Sequence, residues 1–178
     1  ENYDRFKASI FVSVADLLGS WPISSVDKTQ VALGIKDNIS SFALTEFMPL
    51  IDIYHTRLVE LGEYINMSNQ SNIFSNEMLD HARNMTIKKS FVEDARTMQV
   101  SVIDEILTLY IEKNQSVKQI INAGYDSSTV IALIRRLHQE ELYRARSGFS
   151  PKLTNRSFKN DWLFPSIVDW DNVDIESL

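Results

Sequence analysis

From Tyr3 to Leu18 the apolar residues Phe6, Ile10, Val14, Leu17 and Leu18 recur at helical spacing, which puts them along one face of a helix. Gly19 and Ser20 end that pattern, and Pro22 pushes Trp21 out of the helical region, so Trp21 to Val26 reads as a short strand or extended piece. Asp27 can cap a short helix over Lys28 to Leu33, which stops at Gly34. Residues 35–50 carry no clear period; the apolar strings Phe42-Ala43-Leu44 and Phe47-Met48-Pro49-Leu50-Ile51 predict a buried loop.

A second helix is predicted over Tyr54 to Met67, with Leu58, Leu61 and Ile65 on one side, followed by a polar loop from Asn66 to Asn76. Glu77 to Met98 alternates charged and apolar residues with only weak helical spacing. Ser101 to Lys113 is a cleaner helix with Val102, Ile103, Ile106, Leu109 and Tyr110 as its stripe, and Ser116 to Ala123 is a short one closed by Gly124. Asp126 opens the strongest helix. Val130, Ile131, Leu133, Ile134, Leu137 and Leu142 form its core face, Arg135, Arg136, Gln139 and Glu140 its wet face, and Gly148 and Pro151 its end. Asn155 to Pro165 reads as an irregular arm in which Phe158, Trp162 and Phe164 serve as packing anchors, and residues 166–178 as an acidic, loose tail. The pattern predicts one domain over residues 1–165, mainly α with a few short strands.

Composition narrows the chemistry. A chain of 178 residues suits one compact domain, and its 44% hydrophobic and 24% charged residues are those of a soluble folded protein. A net charge of −6 and a pI near 5.1 argue against broad binding to a nucleic-acid backbone, although a local basic cluster can still hold one nucleotide. With no Cys, disulfides, thiolate metal sites and Cys nucleophiles are excluded. No apolar run approaches the roughly 20 residues that cross a bilayer, and Glu1-Asn2-Tyr3-Asp4-Arg5 is no basic signal-peptide head. No membrane partner and a cytoplasmic location are therefore expected, while a first residue other than Met leaves room for an upstream portion. His81 and His138 have no partner at ligand spacing and read as surface or core-edge residues, and no metal motif is present.

The ordered set Glu105-Ile106-Leu107, Gly124-Tyr125-Asp126, Val130, Glu141, Arg144, Phe158, Asp161-Trp162 and Pro165 resembles the C-terminal end of the glutamine-dependent NAD synthetases. Upstream, Glu1-Asn2 and Arg5, Ser24-Ser25-Val26-Asp27-Lys28-Thr29-Gln30, Asp52-Ile53-Tyr54-His55-Thr56-Arg57-Leu58 and Tyr64-Ile65-Asn66 follow the same family's order. The resemblance implies the C-terminal half of the α/β adenine-nucleotide α-hydrolase-like fold. It also implies a relation to enzymes that activate the carboxylate of deamido-NAD with ATP and Mg²⁺ and then admit ammonia.

The same resemblance points to losses. The family's Ser-Gly-Gly-x-Asp-Ser loop, whose amides cradle pyrophosphate, lies upstream of the matched region, and no Gly-Gly pair occurs in this chain. Ser25 stands where the family has a Thr that approaches ATP, Gln30 where it has a Glu that binds metal or the nicotinate end, and His55 where it has a phosphate-neutralising Lys. Gln is a weaker Mg²⁺ ligand than a carboxylate, and an imidazole is mostly neutral at pH 7. Ser40-Ser41-Phe42 offers no carboxylate where the family has Tyr-Gly-Asp, and the family's Lys-x-x-Ser-Ala loop has no match between residues 67 and 95.

A remnant nucleotide site is expected from Ser25, Asp27, Lys28, Gln30, His55, Arg144, Arg146 and Lys152, with no catalytic residue and no metal ligand. Their plainer alternatives are helix capping for Asp27, Lys28 and Gln30, a polar helix start for His55, and cations at a helix C-terminus for Arg144, Arg146 and Lys152. ATP and Mg²⁺ follow by resemblance only; the sequence requires neither. The first helix matches a region the family uses to dimerise, so a homodimer is expected, with ATP or an NAD-like dinucleotide as possible ligand. Three functions stay open: a degenerate synthetase kept as a binding or assembly module, part of a longer working ligase, and a purely structural helical interaction protein.

Overall fold

The structure, a computed structural model, describes residues 2–35, 47–88, 97–145, 147–158, 160–165 and 167–178. The chain divides into two compact units, residues 1–52 with 135–173 and residues 53–134 with 174–178.

The first unit opens with α1 (Asn2–Leu17), which closes through a left-handed Gly19. The predicted stripe is there, and Phe6, Ile10, Val14, Leu17 and Leu18 are all exposed. Trp21 to Val26 is extended, and Ile23, Phe47 and Phe149 pair as parallel bridges that lay three short segments side by side. Ser24 N–H donates to the Phe47 carbonyl at 3.0 Å and Met48 N–H to the Phe149 carbonyl at 2.9 Å. Met48, on the opposite side of the chain from Phe47, is fully buried. Next comes α2 (Lys28–Ala32). Asp27 accepts from Gln30 N–H, and the Gln30 side chain accepts from Asp27 N–H, a reciprocal capping box that fixes where the helix starts.

The second unit is helical. It contains α3 (His55–Asn69), α4 (Asn76–Arg83), β1 (Thr86–Lys88), β2 (Thr97–Gln99), α5 (Val100–Leu107) with a π-helical continuation (Thr108–Glu112), and α6 (Val117–Asn122). A 3-10 turn (Ile175–Ser177) also belongs to it. α7 (Ser127–Gln139) begins in this unit, with Asp126 accepting from Thr129 N–H at 2.9 Å. Ile103, Ile106, Leu107 and Ile111 are fully buried, each such side chain contributing about 1.5–3 kcal/mol relative to exposure.

Several boundaries differ from the sequence pattern for identifiable reasons. The expected face of α3 was Leu58, Leu61 and Ile65, but its buried positions are Val59 and Gly62. A Cβ at Gly62 would lie 2.9 Å from Leu79 Cδ2, so the missing side chain is what lets α4 approach closely. α3 also runs on to Asn69, into the expected loop, and Asn66 then holds that loop by bonding both Phe74 N–H and the Phe74 carbonyl. Thr86–Lys88 and Thr97–Gln99 form an antiparallel pair inside the stretch that showed weak helical spacing, because a period of two in so short a run is easily mistaken. The long helix predicted from Asp126 stops at Gln139 and resumes as α8 (Glu141–Arg144). That break resets the helical phase, leaving Leu142 exposed and turning Arg144 inward. In the acidic tail, Trp170 and Ile175 are buried.

Candidate functional site

In the first unit one candidate, Lys28, is a buried ammonium held by residues outside the expected set. Lys28 is the first residue of α2, and the capping box orients it. Its Nζ donates to Asp52 Oδ1 at 3.0 Å, to Thr154 Oγ1 at 2.7 Å and to the Arg156 carbonyl at 2.7 Å. Those partners use all three ammonium donors. The side chain is 0% exposed. Asp52 is equally occupied: it accepts from the amides of Leu153 and Thr154 at 2.7 Å each and from Thr154 Oγ1 at 2.8 Å. Burial pushes its carboxyl up, but the Thr154 and Leu153 amides and the Lys28 charge outweigh that and hold it below the usual carboxylate range.

Arg144 is the second internal cation. Its guanidinium donates to the Ala32 carbonyl at 3.0 Å and to Glu141 at 2.7 Å, tying α8 to the end of α2. It lies 5.0 Å from the Phe158 ring centre and 5.3 Å from that of Trp162, within cation–π range. Burial drags its pKa down, against the opposing pull of Glu141. The Phe158 ring also faces Lys28 Nζ at 5.5 Å, so one aromatic sits between both cations.

The other expected positions separate. Ser25 is exposed. Gln30 is half-buried, with its side-chain oxygen taken by Asp27 N–H, and Asp27 is buried as the cap. Lys152 forms an outer ion pair with Asp161 at 2.8 Å; Lys152, then the Ser157 amide and hydroxyl, hold the Asp161 carboxyl at about 2. His55 lies in the second unit at the start of α3, its Nε2 3.1 Å from the Ala82 carbonyl. There it borders a cavity of about 150 Å³ shared with Glu60, Glu63 and Arg83, a setting whose carboxylates disfavour phosphate. Arg146 and Ser40-Ser41-Phe42 lie outside the described residues.

Mg²⁺, which the resemblance implies, prefers carboxylate oxygens. Gln30 is neutral and occupied, and among the described residues no three His, Asp or Glu side chains come together as a metal-binding group. Among the described residues, Gln30 at the position the resemblance gives to a metal-binding Glu is a poor ligand for that ion.

Sequence reasoning missed three participants. Asp52 was noted only as the first residue of the Asp-Ile-Tyr-His-Thr string, and Thr154 and Arg156 carried no motif at all. His138, expected at the surface or core edge, is fully buried between Trp162 and Trp170, with ring centres at 5.5 Å and 4.3 Å, and meets Phe164 edge-on at 4.2 Å. Burial, with a smaller push from Arg144, lowers its pKa to about 4. Phe158 and Trp162 are buried, the packing anchors expected in the irregular arm. In the second unit, Asp104 is a buried acceptor for the Thr56 amide and hydroxyl, both at 2.9 Å, and so supports the start of α3.

No protein-family model matches the chain. Glutamine-dependent NAD(+) synthetase of Acinetobacter baylyi is 23% identical over 170 residues, covering 93% of this chain and 30% of that protein. The Rhodobacter capsulatus enzyme of the same name is 26% identical over 173 residues, covering 93% and 31%. The crystal structure of a glutamine-dependent NAD(+) synthetase from Cytophaga hutchinsonii superposes with a TM-score of 0.65 at 13% identity, over 92% of this chain and 27% of that one. The chain thus spans under a third of the length of the relatives it matches, and the match falls in their C-terminal portions. In sequence and in fold, the chain is related to the C-terminal portion of the glutamine-dependent NAD synthetases.

Proposed function

We propose that the chain is a synthetase-like module that keeps the scaffold and has lost the chemistry, serving as an assembly module or nucleotide-binding remnant. The observation that carries this is the closed network around Lys28, in which all three ammonium donors end on protein oxygens. Arg144 is likewise buried, and both its terminal guanidinium nitrogens donate to protein oxygens, of Ala32 and Glu141. We assign both cations to internal support, and leave the exposed Ser25 and Lys152 of the first unit as the described residues able to touch ATP or an NAD-like dinucleotide. Two supporting facts are the neutral, occupied Gln30 and the carboxylates beside His55.

We read residues 1–165 as one domain of cytoplasmic origin that forms a homodimer through α1. The exposed Phe6, Ile10, Val14 and Leu17 on one helical face support the dimer, since a continuous apolar stripe in water calls for a partner. No helix of the described residues is long and apolar enough to cross a membrane.

The test is an assay of the chain with ATP, deamido-NAD, ammonia and Mg²⁺. No turnover above background is expected, and turnover overturns the loss of chemistry. A second reading is favoured by the under-one-third coverage of the relatives: the chain is part of an active ligase whose nucleotide loop lies upstream. A Ser-Gly-Gly-x-Asp-Ser loop after a strand in the preceding coding sequence would decide for it. Calorimetric titration with ATP and NAD separates the binding remnant from a purely structural helical protein, which binds neither.

A further inference from the structure

Residues 167–173 lie on the first unit as a strap with one anchor. Trp170 alone among them is buried, and Ile167, Val168, Asp169, Asp171 and Asn172 are exposed. Among the described residues, the strap's backbone bonds only to itself, Asn172 N–H donating to the Asp169 carbonyl at 3.2 Å. The Asp169 carboxylate closes the same turn, accepting from Asp171 N–H at 3.3 Å and Asn172 Nδ2 at 2.8 Å. One side-chain hydrogen bond reaches α7, from Gln139 Nε2 to Asp171 Oδ1 at 2.7 Å, and it is exposed. The Trp170 indole N–H is buried and meets no acceptor among the described residues, which weakens the anchor, because an unmade buried hydrogen bond carries its full desolvation cost. A segment held this way opens more readily than the core behind it.

What Trp170 covers is His138. The indole stacks on the imidazole at 4.3 Å and 20°, Trp162 takes the other face and Phe164 the edge. A proton on His138 would put a charge into a dry aromatic cage beside the buried Arg144. The carboxylates of the surrounding elements are committed elsewhere: Glu141 of α8 to Arg144, Asp161 of the arm to Lys152 and the Ser157 amide, Asp169 and Asp171 of the strap to the bonds above. On its own helix stand Arg135 and Arg136, the latter paired with Glu140. Burial first, then Arg144, therefore hold His138 neutral down to about 4. With the strap lifted, one ring face is wet and the value moves toward the ordinary 6.5. The lifted form thus binds the proton more tightly than the docked form. Docking is at full strength above about pH 6.5 and weakens by up to about tenfold per pH unit as the pH falls toward the docked value.

We propose that residues 167–173 are a proton-released strap, with Trp170 as its latch and His138 as its sensor, which lifts in acid and uncovers the imidazole. Two readouts by nuclear magnetic resonance on the full chain test it: the titration of the His138 ring, and exchange of the Trp170 indole N–H corrected for its intrinsic rate. Trp170→Ala should raise the His138 pKa by at least about one unit, while Trp21→Ala, at an exposed tryptophan, leaves it in place. In the parent chain the corrected indole exchange should run ahead of the buried Leu137 amide and rise about five- to tenfold per pH unit from 6.5 to 5. His138→Phe should make that exchange flat with pH. A His138 pKa that ignores Trp170→Ala overturns the proposal, as does an indole that exchanges in step with Leu137 at every pH, or an equal pH slope in His138→Phe. If His138→Phe does not fold, the Trp170→Ala titration decides. If neither variant folds, the parent chain decides by its indole exchange against Leu137.

Discussion

Lys28 Nζ lies 3.0 Å from Asp52 Oδ1, and neither side chain reaches solvent appreciably. Twenty-four residues separate them in the chain. The pair joins the start of α2 to the segment that ends the first unit's run of 1–52, and Thr154 locks it from the far end of the sequence. A buried pair of this kind is a weak source of net stability but a severe loss when one member goes, because the other is stranded without compensation.

Asp52→Ala should therefore lower unfolding free energy by about 3–5 kcal/mol in urea titrations, the range for breaking a buried pair. Replacing both, as Lys28→Met with Asp52→Ala, should recover part of that loss. A single-variant cost of only a few tenths would mean that the two charges are solvated. The acid dependence has a definite sign. Asp52 has its folded pKa held below the unfolded value, so its contribution is present above the ordinary carboxylate range and fades as pH falls through the lower folded value.

His138 gives a second pH dependence in a different window. Its folded pKa near 4 is below the ordinary 6.5, so the unfolded chain takes up the proton first. Stability should be full above about pH 6.5 and fall by about 3 kcal/mol by pH 4, which is the shift converted at 1.36 kcal/mol per unit. His138→Phe, which keeps an aromatic between Trp162 and Trp170, should flatten that window. Identical pH profiles for the two proteins would contradict the assignment.

Gly34 is required twice over. Its φ is +60°, and an added Cβ would sit 2.2 Å from Glu140 Oε2, a carboxylate already paired with Arg136 at 2.7 Å. Gly34→Ala should cost about 1–3 kcal/mol. Adding Glu140→Ala should remove the collision and leave the backbone share, about 1 kcal/mol. Additive costs for the two changes would show that the collision is not made.

The stripe on α1 makes the dimer testable by mass. Light scattering should return a dimer for the chain and a monomer for Ile10→Asp with Leu17→Asp, with helical content unchanged, since both side chains are exposed in the single chain. A monomeric parent chain would remove α1 as a dimer face.

Much of the fold was legible along the chain because local rules dominated it. The apolar spacing in α1, the Asp27 and Asp126 caps and the Phe158–Trp162 anchors are short-range signals, and each lies where the sequence puts it. The site was less legible for a physical reason. Lys28 and Arg144 look from sequence like cations free to meet phosphate, and nothing local reveals that Asp52, Thr154 and the Ala32 carbonyl lie against them. Long-range partners also decided the break at Glu140, which exposes Leu142 and buries Arg144. His138 went the same way: its three aromatic neighbours follow it by 24 or more residues.

The claim that Lys28 holds the scaffold rather than a ligand is tested most directly by amine acylation of the native protein, read residue by residue by mass spectrometry with and without ATP. Lys113, Lys118 and Lys152, all exposed, should react readily, while Lys28 stays unmodified and ATP changes nothing there. Labelling of Lys28 at the pace of the exposed lysines, or labelling that ATP suppresses, would contradict the account.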